Sequence, residues 1–173
     1  RRVELLARVV DHARERLQQS TLNLELVAQS HVEPQSVAGL IPHSGTMCLL
    51  ERIVDWTDDE IRLETSTHRS PDNPLRSNGR LRAVHLCEYG AQAMAVHGAL
   101  KSQSQGRQAA PGMLVSLRSV ELKRDFIDDL PNALTVEAHC LQASATSLQY
   151  SFRITHRDEV LAEGRAAVVL QAR

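Results

Sequence analysis

The fold turns on one stretch: Ala83-Val84-His85-Leu86-Cys87-Glu88-Tyr89-Gly90-Ala91-Gln92-Ala93-Met94-Ala95-Val96-His97-Gly98-Ala99-Leu100. It holds no Lys, Arg or Asp, and apolar side chains occupy nearly every face at helical spacing. A helix apolar almost all round is a buried helix. Its side chains are mostly small, so a sheet can approach it closely. At 3.6 residues per turn, His85, Glu88 and Gln92 nevertheless share an arc of roughly 60°. A carboxylate buried without partners is costly, so this stripe should face other polar groups, water or a ligand. His97 lies well off the stripe and reads as a packing residue, as do Cys87 and Met94.

Strand patterns flank the helix. Leu49 to Trp56 is a mostly apolar run, Thr57-Asp58-Asp59 a turn, and Glu60 to Thr67 an alternation with Ile61 and Leu63 on one side. Ser70 to Arg82 breaks both periods with Pro71, Pro74, Asn78 and Gly79, and reads as a loop. Beyond the helix, Lys101 to Pro111 is a polar loop. Four strand candidates follow: Met113 to Lys123, Ala133 to Ala143, Ser147 to Thr155 and Val160 to Gln171. Their expected pairing is an antiparallel meander, and the class is α+β, a sheet wrapped around one long helix. Ahead of all this, Val3, Leu6, Val10, Ala13 and Leu17 recur at spacings of three and four. They predict an amphipathic helix over 1–19, followed by a connector, so residues 1–35 form one unit and 36–173 the main domain.

Composition narrows the function. The chain has 173 residues and 19.2 kDa, which fits one principal domain rather than separate cofactor and substrate domains. Twenty basic and 21 acidic side chains nearly cancel, so no global field exists to hold nucleic acid. Aromatics are only 3%, which argues against base-stacking platforms and sugar clefts. Cys48, Cys87 and Cys140 are scattered, without the spacing of a disulfide framework or a cysteine zinc site. They fit a reducing compartment, and the cytoplasm is the expected location. No apolar run is long enough to span a bilayer, and Arg1-Arg2-Val3-Glu4 is not followed by the apolar core of a signal peptide.

Two phrases carry a resemblance: Ile41-Pro42-His43-Ser44-Gly45-Thr46-Met47-Cys48-Leu49-Leu50-Glu51-Arg52-Ile53, and Glu88-Tyr89-Gly90-Ala91-Gln92-Ala93-Met94-Ala95. With His68-Arg69-Ser70-Pro71-Asp72-Asn73-Pro74-Leu75-Arg76 they resemble the hotdog-fold 3-hydroxyacyl-acyl carrier protein dehydratases. They are most similar to the dehydratase-like proteins of aryl polyene pigment synthesis. The resemblance covers residues 36–171 and implies a hotdog fold, a dimer with sites at its interface, and acyl carrier protein as partner. It implies removal of water from a 3-hydroxyacyl thioester, which needs a base, an acid and donors for the thioester oxygen, and no metal or other cofactor.

By that resemblance Glu88 handles the departing hydroxyl, and backbone N–H groups near Val84 and His85 polarise the carbonyl. The fatty-acid enzymes place their basic histidine in a Gly-His-Phe phrase, which Pro74 to Arg82 lacks. His85, His43 and His68 are the candidates to replace it, with Gln92 orienting Glu88 or closing the cavity. Arg82, with Arg76 and Arg80, forms a cluster suited to a solvated loop or to the phosphate of a pantetheine arm. A thioesterase of the same fold, or a non-catalytic subunit of a heteromeric dehydratase, are the rival readings. The resemblance is compatible with a homodimer or with a heterodimer with another hotdog subunit.

Overall fold

The computed structural model describes residues 36–171. The helix expected over 1–19 and its connector lie outside the described residues. Alternation builds six strands: β1 (Arg52–Trp56), β2 (Glu60–Thr65), β3 (Gly112–Leu122), β4 (Leu134–Ala143), β5 (Ser147–His156) and β6 (Glu159–Leu170). They form one antiparallel sheet in the order β1-β2-β4-β5-β6-β3.

Inward-facing residues align across the strands in two rows. One runs Ile53, Leu63, Val136, Ile154, Ala162, and the next Ile61, Ala138, Phe152, Gly164. Every side chain in these rows is buried. Positions of the other parity carry charge, and there Arg62 pairs with Asp55 and Arg52 with Glu64. The period of two thus makes one wet face and one dry face.

The dry face curves around α1 (Leu86–Ser104), which the chain enters through a 3-10 turn at Ala83–His85. Leu86, Tyr89, Ala93, Val96 and Leu100 are all buried against the sheet's core residues. The approach is close. A Cβ at Gly90 on the helix, or at Gly164 on β6, would stand 2.9 Å from atoms of the Phe152 ring. That ring fills the space between two glycines, so the small-residue composition of the helix is used directly.

Two expectations need correction. The helix runs past Leu100 into the expected polar loop, ending at Ser104, because Lys101, Ser102 and Gln103 are compatible with helix. Its end is set by Gly106, whose φ of +64° lets Gly106 and Arg107 donate back to the carbonyls of Gln103 and Ser102. The last four strands are also not one meander. β4, β5 and β6 are consecutive hairpins, but β3 pairs with β6 at the sheet edge and β4 pairs with β2. The segment from Lys123 to Ala133 makes this crossover, too long for a hairpin turn. It is held against the helix entry: Ala83 donates to the Asp125 carbonyl, Ile127 to the Leu81 carbonyl, and Leu81 to the Asp128 carboxylate.

Candidate active site

The polar stripe of α1 meets the loop that precedes β1. Gln92 is 1% exposed, and its amide is committed on both sides. Its Oε1 accepts the Leu49 N–H at 2.9 Å, so its Nε2 must face the other way. Nε2 donates to the Met47 carbonyl at 2.9 Å and to Glu88 Oε1 at 3.1 Å. The segment leading into the 3-10 turn at Gly45–Met47 carries His43, whose Nε2 stands 3.5 Å from the same Glu88 oxygen. Glu88 and His43 keep 36% and 32% of their side-chain surface exposed. A reacting molecule can therefore reach both. His43 Nδ1 is buried without a hydrogen-bond partner among the described residues.

This pairing gives a carboxylate and an imidazole beside the first turn of a buried helix, where the helix field favours negative charge. One group can take a proton while the other delivers one. Val84, 51% exposed, stands in the 3-10 turn at the helix entry. Its neighbours' N–H groups are spent, Ala83 on the Asp125 carbonyl and His85 on the Arg82 carbonyl.

The other expected residues are placed differently. The His85 side chain makes no hydrogen bond or ion pair among the described residues, and the arc predicted for it assumed α-helical pitch. It lies in the 3-10 segment, where each residue turns further. His68 is fully buried, with Nε2 3.1 Å from the Leu130 carbonyl and Nδ1 unpaired. Burial lowers its pKa below the ordinary histidine value, with Arg69 and His156 nearby adding to the effect. Arg76 is spent on the loop itself, donating to the carbonyls of Ser70, Gly79, His68 and Arg69. Arg80 pairs with Asp128 and lies over the Phe126 ring. Arg82 is exposed and stacks at 5.5 Å on the same ring, leaving its guanidinium hydrogens open. Burial pushes the Cys87 thiol up, which makes it a poor nucleophile.

Three residues missed in the sequence belong to this region. Buried Tyr89 and Asn73 and half-buried Thr67 form a hydroxyl and amide cluster against the Leu49 end of the His43 loop. A tyrosine on a helix that is apolar all round needs a partner for its hydroxyl, and that was the available signal. Among the described residues, no group of three or more His, Cys, Asp or Glu side chains is placed to hold a metal ion.

The dehydratase heterocomplex ApeI:P from Xenorhabdus doucetiae has a chain similar to this one, with a TM-score of 0.72 and 21% identity. The match covers 80% of this chain and 93% of that one. A hypothetical thioesterase protein with coenzyme A from Streptococcus pneumoniae TIGR4 is similar at a TM-score of 0.51 and 14% identity, over 70% of this chain and 85% of that one. A Streptococcus mutans UA159 protein bound to acetyl CoA is similar at 0.52 and 11%, over 70% and 88%. These likenesses establish the hotdog fold. No curated protein matches the chain. Residues 35–172 match the model of the ApeP dehydratases, so the chain belongs to the ApeP-like dehydratase family.

Proposed function

We propose that this chain removes water from a 3-hydroxyacyl thioester carried on acyl carrier protein, as one subunit of a paired hotdog dehydratase. The observation that carries the reading is Glu88, held by the Gln92 amide and facing His43 at 3.5 Å in a solvent-reachable position. The elimination breaks an α C–H bond and the C–O bond to the hydroxyl, forms the C=C bond, and releases the hydroxyl as water. It needs one group to accept the α-proton and one to protonate the leaving oxygen. His43 takes the first role and Glu88 the second, with the Val84 N–H as donor to the thioester oxygen. Arg82, stacked on Phe126 with its guanidinium open, suits the phosphate of the carrier's pantetheine arm. The three unpaired cysteines fit a cytoplasmic setting.

Purified chain, alone and with a neighbouring hotdog subunit, should be incubated with a 3-hydroxyacyl carrier substrate. Loss of 18 mass units, about one water, with the thioester intact is the expected result, and Glu88→Gln should slow it at least about tenfold. Free thiol would instead mark hydrolysis, and wild-type turnover in Glu88→Gln would overturn the assignment.

A second reading has its own support. The loop from Pro74 to Arg82 lacks the Gly-His-Phe histidine, and the similar Xenorhabdus doucetiae structure is a heterocomplex. In that reading the chain supports a catalytic partner. Activity of the complex that is indifferent to Glu88→Gln, yet absent without this chain, would select it.

A further inference from the structure

Leu49 is held more firmly than the fold requires. It lies outside the strands, in the loop between His43 and β1, and both of its backbone groups are buried in side-chain contacts. Its carbonyl accepts two hydroxyls, Thr65 Oγ1 at 2.6 Å and Thr67 Oγ1 at 2.7 Å. Its N–H donates to Gln92 Oε1. A buried carbonyl needs one donor to be satisfied, and Thr65 supplies it. The Thr67 hydroxyl is therefore redundant for satisfaction, and besides Thr65 Oγ1 at 3.0 Å it has a second hydroxyl neighbour.

That neighbour is Tyr89, adjacent to Glu88 in α1 and fully buried. With the single Thr67 hydroxyl proton spent on Leu49, the Tyr89 hydroxyl is the donor across the 3.1 Å contact to Thr67 Oγ1. Tyr89 in turn accepts from Asn73 Nδ2 at 2.9 Å, and the same amide nitrogen donates to the Thr67 carbonyl at 3.0 Å. Two helix side chains thus reach the one loop residue. Gln92 grips it at the N–H and Tyr89 reaches the carbonyl through Thr67. The Met47 carbonyl, held by Gln92, closes the loop's other side.

We propose that Thr67 and Tyr89 are positioning residues that fix the loop from His43 to Leu49 on α1, and so set His43 against Glu88. This rests on the reading of Glu88 and His43 as the acting pair. It adds a clasp one layer behind them, built from residues that touch neither. Because a small misplacement of acid and base lowers the rate more than it lowers binding, the clasp should act on kcat rather than KM.

The test uses the full chain with its partner subunit and three variants: Tyr89→Phe, the double Thr67→Val/Tyr89→Phe, and Thr67→Ser. The double variant removes both hydroxyls together and so leaves no orphaned hydroxyl to unfold the site. It should lower kcat about 5- to 20-fold with KM within about twofold, while Thr67→Ser stays within about twofold of wild type. Exchange of the Leu49 amide hydrogen, followed by NMR, should be at least about tenfold faster in the double variant. A double variant with wild-type kcat overturns the proposal. If wild type with its partner shows no dehydration, the functional reading fails separately. The clasp is then judged on exchange alone, and a Leu49 rate within about twofold of wild type in the double variant overturns it.

Discussion

His85, one helical turn before Glu88, is the nearer candidate in sequence, but what the two histidines touch favours His43. His43 stands 3.5 Å from Glu88 on a loop held by the buried Gln92, whereas the His85 side chain has no polar partner among the described residues. A proton acceptor works only from a fixed position within reach of the reacting atoms. His43→Asn should therefore cost about 10- to 100-fold in dehydration, and His85→Ala should stay within about threefold of wild type. Steady-state kinetics on both variants decide it, and the reverse order would move the base to His85. Glu88 and Gln92 were legible in the sequence because both lie in regular α-helix, where a spacing of four places them together. His43 lies far away in the chain, and periodicity gives no distance between a loop and a helix. Only the resemblance pointed to it.

At the scale of elements, α1 is tied to the β1–β2 turn by a buried imidazole. His97 Nε2 stands 2.9 Å from the Thr57 carbonyl and Nδ1 2.8 Å from the Tyr150 hydroxyl, with the two rings edge to face. Nε2 donates to the Thr57 carbonyl, and in the neutral ring Nδ1 accepts from the Tyr150 hydroxyl. Burial pushes the His97 pKa below 6.5 and Lys101 adds to the effect, against the opposing Thr57 carbonyl, Asp59 and Asp58. His68 is depressed in the same direction, again chiefly by burial. Between each folded value and the unfolded 6.5, the unfolded chain binds more protons. Stability is then fully present above 6.5 and is lost as pH falls through the folded values. The thermal midpoint should drop between about pH 7 and pH 5, and His97→Gln should flatten part of that slope. A midpoint constant across the range would show that neither tether matters. The helix itself was legible from composition, since apolar residues on every face admit no other placement. The strand order was not. Alternation tells each strand which face is dry but not which neighbour it takes, so β3 beside β6 emerged only from the structure.

For the whole molecule, β3 is the element that the described residues leave unfinished. It pairs with β6 along one edge, and its other edge ends the sheet. Met113, Leu114, Val115 and Leu117 are all exposed there, on both faces of the strand. A long apolar edge is a hazard unless something pairs with it, and charges or prolines usually blunt an edge that stays free. Here the stretch from Gly112 to Leu117 carries neither. On the paired-subunit reading proposed above, the occupant is the β3 edge of a second hotdog subunit, which would extend the sheet across the pair and bury the apolar stripe. Val115 is the residue to test, because the ladder with β6 shifts between Leu114 and Ser116 and leaves Val115 without a paired position. A lysine there should leave the chain's own sheet intact while placing charge in the junction. Val115→Lys should keep the wild-type circular dichroism but dissociate the complex at least about tenfold more readily in light scattering, with dehydration falling in step. An unaltered complex at micromolar concentration would place the partner on another surface.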